Sequence, residues 1–498
     1  MGSLSRWVPA GRGSSWLQSL CKPSARWLLV LLAFVLVPVA AGQGNDPCAR
    51  PCGREHSCGQ LNHSFACGAL DSMGCDCSGC CQASLSPLAP PALPPPLPPP
   101  PSSPKPLLPP MTPGGLAVSS TVELRTALAS GGAALVYLLP IVYALGGVPL
   151  NVSGVDVTLE GLGGEATIDA EAMSRAIDVS DGGRLVLRRI EVINGAADSG
   201  GGLLVQGAGS SLLMEQASVR NCVATGQGSF NPMHGGGRPA RSFARLASAW
   251  STAPFKASLT LNPLFFASTG GLWVRYASVV LVESVIADCA ASGDSGGGLQ
   301  AYRANVTLKG GSRIERCYAR MGGGALLAGY SDVALLDGSA LSGCSGWGGG
   351  GMFLSASRAQ MTQSSIINCS ATYGAGGIFA TEHGETTLVD SHIRGCQATG
   401  YKGGGGDIGG FRVAEGRLTM VRGAITGCSA VGRFGGANVG SGGTLSLTDV
   451  LVADCRADAE GGGGGISVND GTLTMSGGAV RNCQAGGSLS RVRSRGCS

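Results

Sequence analysis

Charged and aromatic side chains are scarce in this 498-residue chain. Asp, Glu, Lys and Arg make up 13% of it and Phe, Trp and Tyr 5%. The net charge of +4 is small for the length, and no Lys/Arg block interleaved with aromatics occurs, so nucleic acid is not an expected partner. The N-terminal apolar run, Trp27 to Ala41, is shorter than the ~20 residues a spanning helix needs. The 84 glycines follow no strict Gly-X-Y period, which excludes collagen. They stand instead in runs that alternate with Val, Leu, Ile and Met, as punctuation between short strands.

What is present is a repeat. A unit of Gly-Gly-Gly-apolar, alternating apolar residues and [Ile/Val/Leu]-x-x-Cys-x-Ala recurs nine times, marked by Cys222, Cys289, Cys317, Cys344, Cys369, Cys396, Cys428, Cys455 and Cys483. From Cys289 the spacings are 28, 27, 25, 27, 32, 27 and 28. A fixed period of this size marks a stacked repeat architecture in which each unit buries its apolar face only against its neighbours. In the unit from Gly296 to Met321, Leu299 and Ala301 alternate, then Val306 and Leu308, then Ile314 and Cys317-x-Ala319. That pattern predicts three short strands per coil with period-two burial. The glycine runs are expected at tight corners, where they tolerate positive φ. Eight or nine residues before each cysteine stands Met214, Leu281, Leu308, Leu335, Met361, Leu388, Met420, Leu447 or Met475, a second interior ladder.

The regions before the repeats belong to an extracytoplasmic protein. Residues 1–41 combine Arg6, Arg12, Lys22 and Arg26 with the short apolar run and a small-residue end, as in a secretory signal peptide. An uncleaved signal anchor is the alternative, and would make this a single-pass type II membrane protein, its only expected contact with a membrane. Asn62, Asn151, Asn305 and Asn368 head Asn-x-Ser/Thr sequons for N-glycosylation. Residues 48–81 hold Cys48, Cys52, Cys58, Cys67, Cys75, Cys77, Cys80 and Cys81. So small a module lacks an adequate core, and four disulfides would replace it, with 105 connectivities open; a thiolate metal site is the alternative reading. Residues 87–113 form a proline-rich polyproline II spacer.

Residues 116–487 carry the array. Ser120-Thr121-Val122-Glu123 predicts a capping box opening a short helix to about Ala129. A surplus at 229–269 interrupts the period, either as an inserted loop or as a retained intron, and 488–498 is an irregular tail unlike the repeats.

The array resembles the right-handed parallel β-helix of the pectin-lyase-like superfamily. Its Gly-Gly-[Ala/Ile/Leu] and [Ile/Val]-x-x-Cys pairing is similar to polymorphic outer-membrane protein repeats, with Ile or Val for Phe and Cys for Asn. The tail Gly74-Cys75-Asp76-Cys77-Ser78-Gly79-Cys80 resembles a motif in predicted secreted proteins of unicellular algae. The resemblance implies an all-β fold, a parallel β-helix of about 27 residues per coil with a short N-terminal capping helix, preceded by a small disulfide-rich module. It also brings a polysaccharide lyase or glycoside hydrolase into view.

No catalytic, cofactor-binding or metal-binding set is readable. The residues preceding the cysteines (Asn221, Asp288, Arg316, Gly343, Asn368, Gly395, Gly427, Asp454, Asn482) form no acid cluster, and Asp288 beside Arg316 reads as a surface pair. His383 and His392 have no carboxylate at motif spacing. The repeat cysteines read as an interior ladder of buried thiols, with isolated disulfides between neighbouring coils as the alternative. Thr307, Thr387, Thr419, Ser446 and Thr474 form an outward file, of the kind ice-binding solenoids use. The expectation is therefore a secreted or cell-surface β-helix with a structural, adhesive or glycan-binding role, its partner a polysaccharide or cell-wall glycan.

Overall fold

The computed structural model describes residues 51–52, 56–57, 114–131, 134–226, 268–292, 296–400, 408–460 and 462–486. The chain divides into two units, Met1–Ser103 and Pro104–Ser498. In the first, Pro51–Cys52 pairs antiparallel with His56–Ser57. The signal segment, the rest of the cysteine module with Asn62, the proline spacer and the tail from 487 lie outside the described residues.

The second unit is a parallel β-solenoid. Its strands stack into four parallel sheets of 13, 12, 10 and 11 strands, here called I to IV. One coil runs Leu299–Tyr302 (sheet IV), Asn305–Lys309 (I), Arg313–Glu315 (II) and Tyr318–Ala319 (III). Four strands thus replace the three read from the sequence. Arg316 adopts a left-handed backbone (φ 52°), which splits the expected third strand in two. The same kink precedes the other eight ladder cysteines, at Asn221, Asp288, Gly343, Asn368, Gly395, Gly427, Asp454 and Asn482. Asn, Asp and Gly dominate that column because they enter left-handed backbone at low cost.

The interior holds the two ladders in register. Leu308 pairs with Leu281 on one side and Leu335 on the other. From Met214 to Leu447 every member is at most 1% exposed, and Cys222 through Cys455 match it. Apart from Gly200 (φ 59°), the described glycines of the runs before sheet IV contribute close approach and not positive φ. A Cβ on Gly298 would lie 2.4 Å from Ile314 Cγ2 and 3.1 Å from Cys317 Sγ, and the same glycine of the preceding coil, Gly271, faces Ile286 and Cys289. Gly-Gly-Gly and Ile-x-x-Cys are therefore two halves of one packing contact.

Helix α1 (Thr121–Ala129) covers the first coil, burying Leu124, Ala127 and Leu128. Its N-cap Ser120 Oγ accepts from Glu123 N at 3.3 Å, a contact worth about 1 kcal/mol. Glu123 reaches back one residue further than a standard box, accepting from Ser119 N at 2.6 Å.

The surplus at 229–269 leaves the stack undisturbed. Leu203 pairs with Leu272 and Val223 with Ala290, so the chain departs after Gly226 and rejoins by Ser268 at one corner, between sheets III and IV. Of the surplus itself, only Ser268 and Thr269 are described.

A candidate ligand-binding face on sheet I

Outward side chains of sheet I form files, because alternate residues share a face and the strands are in register. Asn305, Asp332, Arg358, Glu385 and Arg417 make one file. Thr307, Ala334, Gln360, Thr387, Thr419, Ser446 and Thr474 make the next. The predicted Thr file is thus interrupted by Ala334 and Gln360 and continuous only from Thr387. Where the two files run side by side, from Asn305 to Thr387, the surface is a groove of about 550 Å³.

Within the groove Arg358 lies between two carboxylates. Its Nε is 3.5 Å from Glu385 Oε2, with the side chains 76% and 60% exposed, and Asp332 is its register partner on the other side. Two strand spacings set Asp332 and Glu385 roughly 10 Å apart. Asp332 is exposed like its two neighbours. The arrangement offers donors and acceptors to hydroxyl groups along a flat parallel sheet.

The other sequence-predicted residues are distributed over the solenoid. Arg316 holds Asp288 in a bidentate pair, Nε–Oδ1 2.8 Å and Nη2–Oδ2 2.9 Å, and this raises the already high guanidinium pKa further. His383 stands at the corner before sheet I and His392 on sheet II, both exposed; the fold does not bring them together. Asn151 and Asn368 are exposed on the surface, and Asn305 lines the groove. The nine ladder cysteines are free thiols. Each Sγ donates to the carbonyl two residues back, as in Cys289 to Ala287 at 3.2 Å and Cys455 to Ala453 at 3.3 Å. Burial and the adjoining thiols push Cys289 well up, and Cys455, hydrogen-bonded to Cys428 and buried, is pushed up to about 12.

No protein-family model matches the chain, and no curated protein does. Among solved structures, the catalytic unit of a thermostable GH87 alpha-1,3-glucanase from Streptomyces thermodiastaticus is similar at 14% identity, with a TM-score of 0.36 over 74% of this chain and 70% of that one. At that score the likeness bears on neither site nor activity. The fold rests on the sheet register alone.

The file that forms the groove is not the column before the cysteines. Its signal was available: aligned on the Leu/Met ladder, Asn305, Asp332, Arg358 and Glu385 fall three residues before Leu308, Leu335, Met361 and Leu388.

Proposed function

We propose that this chain is a secreted or cell-surface glycan-binding protein that uses sheet I as its binding face. The observation that supports it is the groove, where two polar files with hydroxyl, amide, carboxylate and guanidinium groups lie side by side on a rigid stack. A chain of sugars presents hydroxyls at regular intervals, and a file of side chains at one strand spacing meets them without rearrangement. The rigid backbone limits the ordering cost of binding to a few side chains. A second reading has its own observation. Asp332 and Glu385 stand two strands apart in one file with Arg358 between them, two carboxylates and a basic group of the kinds such enzymes use, so a glycoside hydrolase or lyase is the alternative.

The test is retention and turnover measured together on a polysaccharide panel, with the wild type and the Gln360→Ala and Asp332→Asn variants. Retention without turnover, weakened in both variants, is the expected result. Turnover abolished by Asp332→Asn would establish the enzyme instead. Retention unaffected by either variant would remove the groove from consideration.

A further inference from the structure

Each coil turns from sheet IV to sheet I through a left-handed residue, and over three consecutive coils that residue is Tyr276, Arg303 and Tyr330 (φ 53°, 47° and 52°). Bulky side chains rarely occupy this conformation, and where they do the position merits a functional question. One residue back, Arg275 and Tyr302 are register partners. Arg and Tyr therefore alternate both along the chain and across the coils.

The side chains form one cluster. The Tyr276 and Tyr302 rings meet edge to face at 5.8 Å, and Tyr302 and Tyr330 at 6.0 Å. The Arg303 guanidinium lies 5.9, 5.7 and 5.7 Å from the ring centres of Tyr276, Tyr302 and Tyr330. Arg275 lies 5.3 Å from Tyr276. Tyr302 is buried, while Tyr276 and Tyr330 are each 40% exposed.

What sets the cluster apart is a guanidinium against three tyrosine rings that makes no ion pair among the described residues. Arg316 and Arg422 elsewhere on the solenoid hold Asp288 and Asp390 in ion pairs. Among the described residues neither Arg275 nor Arg303 has a carboxylate partner. Along the same corner the flanking positions are Gly207 and Ala356, and the column is acidic beyond them, at Asp181 on one side and at Glu382 and Glu415 on the other. An exposed guanidinium framed by aromatic rings is thus left without an anion at one place on this ridge. The groove begins two residues further along the chain, at Asn305 and Asp332.

We propose that Tyr276, Arg303 and Tyr330 form a subsite for a sulfated sugar unit at the edge of the sheet I groove, an inference that rests on the glycan-binding reading. The part-exposed Tyr276 and Tyr330 supply apolar surface for the C–H face of a pyranose. The Arg303 fork pairs with the oxyanion through charge-assisted hydrogen bonds. A guanidinium is weakly hydrated, and the rings strip it further. It is matched by a sulfate ester, which gives up water readily, better than by a carboxylate, which holds it.

The test uses the full chain with dextran sulfate, carboxymethyl dextran and neutral dextran of equal length at about 0.15 M salt, where long-range attraction is screened. Dextran sulfate is expected to bind at least about tenfold more tightly than the other two. Arg303→Gln is expected to lose roughly tenfold toward dextran sulfate alone, the scale of one charge-assisted contact. Arg481→Gln removes the same charge from an exposed site on sheet II six coils away and is expected to have no effect. A silent Arg303→Gln, an equal loss in Arg481→Gln, or equal binding of carboxymethyl dextran would each overturn the proposal. Gln360→Ala is expected to weaken dextran sulfate binding as well. If it is silent while Arg303→Gln loses binding, the groove reading falls and the cluster stands alone.

Discussion

Alkaline pH should destabilise this solenoid through two buried thiols near its C-terminal end, Cys428 and Cys455. Cys428 and Cys455 are both raised above the ordinary thiol value of 9.0, Cys455 to about 12, by hydrogen bonding between neighbours and by burial. Below pH 9 a thiol is protonated in both the folded and unfolded chain and its burial is unopposed. As pH rises past 9 the unfolded thiol ionises while the folded one does not, so the unfolded state gains. Each such thiol then removes about 1.4 kcal/mol of stability per pH unit, until the folded value is reached. The measurement is unfolding free energy by urea titration from pH 7 to 11, in reductant, for the wild type and for Cys428→Ala/Cys455→Ala. The variant starts lower, because two small buried groups are lost. Its curve above pH 9 should be flatter than the wild type by about 2.7 kcal/mol per pH unit. Parallel curves would refute the argument, since they would mean that these thiols titrate alike in both states.

Further outcomes follow from the packing and the corners. Gly298→Ala should destabilise by about 1–3 kcal/mol through overpacking against Ile314 and Cys317, whereas Ala325→Gly at the equivalent place should cost about 1 kcal/mol or less; urea midpoints decide both. Deleting 227–267 leaves nine residues from Cys222 to Leu272, the spacing from Cys317 to Leu326, so far-UV circular dichroism and the melting temperature should be unchanged. A glycan on Asn305 would fill the groove that this residue lines. Asn305→Gln should therefore retain polysaccharide at least as well as the wild type, and better wherever mass spectrometry finds Asn305 occupied.

The solenoid was legible because its determinants repeat. The Leu/Met ladder, the cysteine ladder and the Ser120 cap each recur or sit in a local pattern that periodicity exposes. The fourth sheet was hidden, since only a backbone angle at residues such as Arg316 and Asp288 divides one strand into two. The glycine runs were visible, but their reason was not: the partner atoms of Gly298 belong to residues 16 and 19 positions later. The Tyr276–Arg303–Tyr330 cluster draws one residue from each of three coils, and becomes apparent only when the coils are laid over one another.

The largest changes in coil length fall at the corner between sheets III and IV. From the ladder cysteine to the first residue of the next sheet IV strand the chain takes nine residues at Cys317, ten at Cys289, fifteen at Cys396 and fifty at Cys222. That corner behaves as the fore-edge of a bound book, with the register held along the other sides. New surface can be gained or lost there one coil at a time by insertion and deletion, while folding of the stack proceeds as before. A lineage could in this way change what the protein touches without having to rediscover how it folds.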